Sequence, residues 1–222
     1  SGNTWYSIAA DSSGLLYVGG NWVGWNGVAG EDYIASFDGT TWTQLGTSPF
    51  SATIHPTSSY ALAVDRNDDL ISGAGGGGTP ILTKWDGSTW TTLGSASAAG
   101  AIYCVLVLSD NTLLVGGTYS TLGGITLANI AHYTGSTFEA LGDGTGGAVF
   151  CLTESYTGII AASGSFTTAG GLSLADRIAL WNRYTWAHLD TDLPGSPIVY
   201  ACQFNGDDLF LGFDTTGTAT AA

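Results

Sequence analysis

Hydrophobic and polar positions alternate along the chain in short runs, each closed by a polar cluster, and the alternation has the period of a strand. Tyr60-Ala61-Leu62-Ala63-Val64 puts large side chains at every second position and small ones between them, the pattern of a strand packed on both faces. Asn67-Asp68-Asp69 interrupts the run and Leu70-Ile71-Ser72-Gly73 resumes it, which predicts a β-hairpin. The same order of aromatic-led run, polar turn and apolar run ending in small residues opens at Tyr6, Tyr60, Tyr103, Phe150 and Tyr200. No stretch has helical periodicity or helix-capping signals, so the expected class is all-β.

A second hairpin follows the first four copies. Phe37-Asp38-Gly39-Thr40-Thr41-Trp42 returns as Trp85-Asp86-Gly87-Ser88-Thr89-Trp90, as Tyr133-Thr134-Gly135-Ser136-Thr137-Phe138 and as Trp181-Asn182-Arg183-Tyr184-Thr185-Trp186, and the anchors Trp42, Trp90, Phe138 and Trp186 stand 48 residues apart. Four strands in a repeat of about 40–50 residues predict a β-propeller blade. The repeats fall at about 1–55, 56–100, 101–147, 148–195 and 196–213, one propeller domain over 1–213, with a Thr/Ala-rich tail or linker at 214–222. Five four-stranded blades are expected, the last incomplete, because no Trp-Asp-Gly-Ser-Thr-Trp pair follows Phe213. Half a blade leaves an unpaired edge. Three repairs stay open: the tail supplies a strand, residues past 222 complete the blade, or another subunit donates strands. A start at Ser1 and the absence of Met suggest that the biological chain extends beyond these residues.

The motifs YALAVD at 60–65, LYVGG at 16–20, FTTAGG at 166–171 and WDGSTW at 85–90 resemble the kelch-like propeller repeats of bacterial surface and phage virion proteins. Repeat length and number are similar to those of the five-bladed tachylectin-like lectins. The resemblance spans nearly the whole chain. It implies an extracellular, cell-surface or virion-surface protein that acts as a structural or assembly subunit of a filament or surface layer, or as an adhesin, with a carbohydrate-binding lectin as the alternative. Propellers host unrelated activities, so the repeat itself names no function.

Charge narrows the partners. With 18 acidic and only 4 basic residues among 222, the formal net charge is −14, which repels nucleic acid and anionic lipid. The longest apolar run, Ala101 to Leu108, is far below the ~20 residues of a spanning helix, and no membrane insertion is expected. Self-association, including strand donation to the fifth blade, and a glycan ligand remain as partners.

Candidate chemistry is sparse. Arg66, Lys84, Arg177 and Arg183 are scattered, and no carboxylate pair departs from the repeat, so a non-catalytic chain without metal or cofactor is expected, a glycosidase-type enzyme being the weaker alternative. His55, His132 and His188 occupy a loop and two variable strand positions, as solvent-facing residues do. Cys104 and Cys151 share a column that takes small residues, whereas Cys202 lies one position along, on the other face. Asp65-Arg66-Asn67-Asp68-Asp69 has calcium-loop spacing but occupies the hairpin turn, where Asn and Asp are turn formers. Asp38, Asp86, Thr134 and Asn182 are expected to fix turns. The distinctive local feature is the loop from Asn21 to Asp32: Trp22 matches the packing positions Tyr119 and Phe166, but Trp25 is an added indole. Trp25, Asn26, Glu31 and Asp32 together form the expected sugar site, a stacking face beside amide and carboxylate groups for hydroxyls.

Overall fold

The computed structural model describes residues 4–22, 33–46, 58–76, 78–96, 98–173, 177–189, 193 and 197–214, and among these every regular element is a strand. The first repeat folds into β1 (Trp5–Ala10), β2 (Leu16–Gly20), β3 (Ile34–Phe37) and β4 (Trp42–Gln44), antiparallel and in chain order. The second repeat gives β5 (Ser58–Val64), β6 (Leu70–Gly75), β7 (Ile81–Trp85) and β8 (Trp90–Ser95). In the third, β9 (Ala101–Val107) and β10 (Leu113–Thr118) precede the small ribbon β11 (Thr121–Leu122) and β12 (Ile125–Thr126), then β13 (Ile130–Tyr133) and β14 (Phe138–Ala140) close the sheet. The fourth repeats that plan with β15 (Val149–Glu154), β16 (Ile160–Gly164), the ribbon β17 (Thr168–Ala169) and β18 (Leu172–Ser173), β19 (Ile178–Trp181) and β20 (Trp186–His188). The fifth contributes one hairpin, β21 (Val199–Asn205) and β22 (Asp208–Phe213). The fold is a β-propeller.

The aromatic that opens each inner strand sits at a bulge. Ladder pairing skips Tyr6 in β1, Tyr60 in β5, Tyr103 in β9, Phe150 in β15 and Tyr200 in β21. A bulge bends the strand and leaves its extra residue unpaired. Strict alternation put Tyr60, Leu62 and Val64 on one face; the bulge removes Tyr60 from it. Freed from the ladder, the rings run from one unit to the next, with centroids at 4.8 Å for Tyr6–Tyr60, 5.4 Å for Tyr60–Tyr103 and Tyr103–Phe150, and 5.6 Å for Phe150–Tyr200. The column therefore links units, and it does so as a half-exposed ring ladder instead of a fully buried layer.

The apolar core is divided into slices between neighbouring units. Tyr17 of β2 packs with Leu62 of β5, Ile71 of β6 with Val105 of β9, and Leu114 of β10 with Leu152 of β15. Trp22, Tyr119 and Phe166 are buried, as packing positions require. Outer strands are fastened by indoles: Trp90 Nε1 donates to the Leu45 carbonyl (2.7 Å) and Trp186 Nε1 to that of Leu141 (2.8 Å), each in the preceding blade.

Candidate functional site

Every unit has one face toward the preceding unit and one toward the next, and ladder register assigns residues to them. Ile8, Leu62, Val105, Leu152 and Cys202 are equivalent inner-strand positions that face backward; Tyr17, Ile71, Leu114, Ala161 and Phe210 are equivalent second-strand positions that face forward. Where two units meet, these side chains pack against each other, and all are buried except the partly buried Val105. Between the fifth unit and the first they are not: Phe210 is 59% exposed and Ile8 66%. The aromatic ladder ends at the same seam, with Tyr6 at 43% and Tyr200 at 53%. Among the described residues no strand pairs with the outer edge of β22. Among the described residues these faces of the first and fifth units are left uncovered, and apolar surface of this kind marks interaction sites.

Hydrogen bonds tie the inner turns of successive blades. Ser12 N and Oγ donate to Asp68 (2.9 and 2.6 Å), Arg66 N to Asn111 Oδ1 (2.9 Å), and Ser109 N and Oγ to Glu154 (2.8 and 3.0 Å). The expected calcium-like turn is occupied by its own chemistry: Asp65 Oδ1 accepts from Asn67 N (2.8 Å) and Asp69 N (3.0 Å), while Lys84 Nζ bridges Asp65 and Asp69. At this end of the molecule a cavity of about 560 Å³ is lined by Val64, Val107, Glu154 and Phe204, with Arg66 and Tyr156 at its rim. The first four are equivalent positions of the inner strands, the last residue of β5, β9 and β15 and the last but one of β21.

A second cavity, about 270 Å³, lies between the third and fourth blades and is lined by His132, Glu139, Trp181 and Arg183. His132 was expected to face solvent freely. Its Nε2 is 2.8 Å from Thr112 Oγ1 and its Nδ1 3.6 Å from Glu139 Oε2. Thr112 Oγ1 donates to Asp110 (2.6 Å), and Arg183 reaches Glu154 (2.7 Å) and Asp110 (3.7 Å). The row carboxylate, imidazole, hydroxyl is thus assembled, with the hydroxyl proton directed at Asp110. Its signal was available: the hairpin that pairs Tyr133 with Phe138 necessarily pairs His132 with Glu139. His188 lies exposed on β20 and His55 falls outside the described residues. Trp25, Asn26, Glu31 and Asp32 also lie outside them; Leu122 and Ala169, at the positions matching Trp25, are buried.

The turn column acts as expected. Asp86 Oδ1 accepts from Ser88 N (2.8 Å) and Thr89 N (2.7 Å), Asp38 Oδ1 from Thr40 N (2.8 Å) and Thr41 N (2.7 Å), and Asn182 Oδ1 from Tyr184 N (3.0 Å) and Thr185 N (2.8 Å). The Thr89 amide, with Ser88 beside it, holds the Asp86 carboxyl well below the usual carboxylate range. Because the folded pKa is depressed, the turn is fully stabilised above the unfolded value of ~3.9 and loses that support as pH falls through the folded one. A carbon-detected NMR titration is expected to place the Asp86 midpoint below that of an unstructured aspartate; an ordinary midpoint would refute the turn assignment.

Comparison with solved structures supports the propeller assignment. The nidogen/laminin complex matches at TM-score 0.64 and 12% identity, over 95% of this chain and 72% of that one. YCF48 bound to D1 peptide matches at 0.56 and 14%, over 94% of this chain and 60% of that one. The GH74 xyloglucanase from Xanthomonas campestris matches at 0.58 and 17%, over 90% of this chain, which spans 33% of the enzyme chain. No family model and no curated protein matches the sequence. These likenesses carry the fold. They also correct one expectation: a scaffold shared with a glycoside hydrolase gives no ground for excluding catalysis, so the inference from scarce basic residues to a non-catalytic chain does not stand.

Proposed function

We propose that the chain is a self-associating building block of an extracellular, cell-surface or virion-surface assembly, of the kelch-like or tachylectin-like repeat kind, joined through the outer edge of β22. The edge itself carries this reading. It presents Leu209-Phe210-Leu211-Gly212-Phe213 without the Lys or Pro that blunts an edge strand against pairing. Two such hairpins meeting about a twofold axis give the order β21-β22-β22-β21, a four-stranded sheet like the other blades. The contact also sets a second copy beside the seam that holds Phe210 and Ile8. Two propellers that this chain resembles were solved with polypeptide partners, the D1 peptide on YCF48 and laminin with nidogen, which supports a protein-binding use of the fold. The glycan reading rests on Trp25 and its neighbours, outside the described residues, and is not carried further.

Two copies at net charge −14 repel each other, so association through apolar strands tightens when salt screens that repulsion. Sedimentation equilibrium of the purified chain at low and high NaCl is expected to show dimers or larger species whose population rises with salt. A strict monomer at every concentration overturns the proposal, as does a chain that stays monomeric while it captures a separate hairpin peptide of the Trp-Asp-Gly-Ser-Thr-Trp type.

A further inference from the structure

Cys151 faces forward from β15 and Cys202 faces backward from β21, so the two thiols meet across the interface between the fourth and fifth units. Cys151 Sγ lies 3.2 Å from the Cys202 carbonyl oxygen, and Cys202 Sγ lies 3.8 Å from that of Ala161. The Cys202 side chain lies within interaction range of the Cys151 sulfur. Cys104 is placed differently: its Sγ lies 3.8 Å from the Val149 carbonyl, one interface earlier, and burial pushes its thiol well up. All three cysteines are free thiols in the structure.

We propose that Cys151 and Cys202 form an inter-unit disulfide by exchange with a small-molecule disulfide, fastening the β21–β22 hairpin to the fourth blade. The Cys151 thiolate attacks one sulfur of the oxidant, forming a mixed disulfide and expelling one small thiolate. Cys202 then gives up its proton and attacks the Cys151 sulfur, expelling the second. Two S–H bonds are lost, one S–S bond forms, and the two electrons and two protons leave with the reduced small molecule. Cys151 is suited to attack first, because its sulfur reaches the Cys202 backbone across the interface and the Cys202 thiol beside it, against the opposing effect of burial, holds its thiol below the ordinary range. The same pairing, with burial, pushes Cys202 up and leaves it as the resolving partner.

The test uses the whole chain with oxidised glutathione at neutral pH, followed by thiol counting after denaturation and non-reducing peptide mapping. One remaining thiol, Cys104, and a Cys151–Cys202 linked peptide are expected, with amide exchange in β21 and β22 slowed by about tenfold or more. Three surviving thiols, a Cys104–Cys151 link or a link between copies would overturn the proposal. Cys202→Ser separates attack from resolution: it should stop at Cys151 carrying one glutathione, and an unmodified Cys151 in that folded variant refutes the order of steps. These readings hold for a monomer or a dimer and are independent of the assembly at β22.

Discussion

Phe210→Asp in β22 is expected to weaken self-association tenfold or more while leaving the chain folded. Its equivalents in other units define the contrast: Ile71, at the same place in β6, is 1% exposed and belongs to a core slice, whereas Phe210 stands exposed at the seam. A carboxylate at Phe210 remains hydrated in the free chain, so unfolding should change by no more than about 0.5 kcal/mol, as at ordinary surface positions. In the associated state the same carboxylate is brought against apolar strands and an already acidic second copy, and tenfold in affinity needs only about 1.4 kcal/mol. Ile71→Asp buries an unpaired charge between two blades and should cost several kcal/mol of stability. Paired melting and sedimentation measurements decide the matter. Equal loss of stability at both positions would mean that the seam is closed in solution, and unchanged association of Phe210→Asp would remove β22 from the contact.

The parts of this architecture that were legible in the sequence are those governed by local chemistry. The 48-residue spacing put Trp42, Trp90, Phe138 and Trp186 at the starts of β4, β8, β14 and β20, because each follows a turn fixed by its first side chain, which bonds two and three residues ahead in Asp38, Asp86 and Asn182 and three ahead in Thr134. The inner and second strands were legible for the same reason. What was not legible depends on how units face one another. Alternation predicts a continuous face through Tyr60, and the bulge that removes it is a feature of pairing with β6. Cys151 and Cys202 were separated on the argument that they occupy opposite faces; opposite faces of successive units are the ones that touch. The unpaired edge of the fifth unit was legible in the absent second hairpin, but the exposure of Ile8 and Phe210 was not, since they have the same apolar character as their buried equivalents. The His132 cavity stands between these cases, half its geometry being written in a hairpin.

Gly164→Ala should be among the most damaging single substitutions, although it adds one methyl group to a strand with ordinary backbone angles. Gly164 ends β16 opposite Val149, next to the bulge at Phe150. A Cβ there would fall well inside contact distance of the Ala148 carbonyl oxygen, 3.0 Å from the carbonyl carbon and 3.1 Å from Val149 Cα. Gly117 meets the Ala101 carbonyl and Gly20 the Thr4 carbonyl in the same way, whereas Ala74 and Phe213 stand at the equivalent places opposite Ser59 and Val199, so the close approach belongs to the first, third and fourth units. No rotamer change relieves a clash between backbones. The strand must shift, loosening the bulge and the ring of Phe150 that meets Tyr103 edge-on and stacks on Tyr200. Overpacking of this kind costs about 3 kcal/mol, which for a chain of this length lowers the thermal midpoint by roughly 6–12 °C. Gly158→Ala is the matched control, at φ +84° in a turn, where the left-handed backbone alone costs about 1–2 kcal/mol. A larger fall at Gly164 than at Gly158 supports backbone approach at the bulge as the reason for glycine. Equal falls would mean that the bulged strand can retreat, and that the aromatic ladder tolerates the movement.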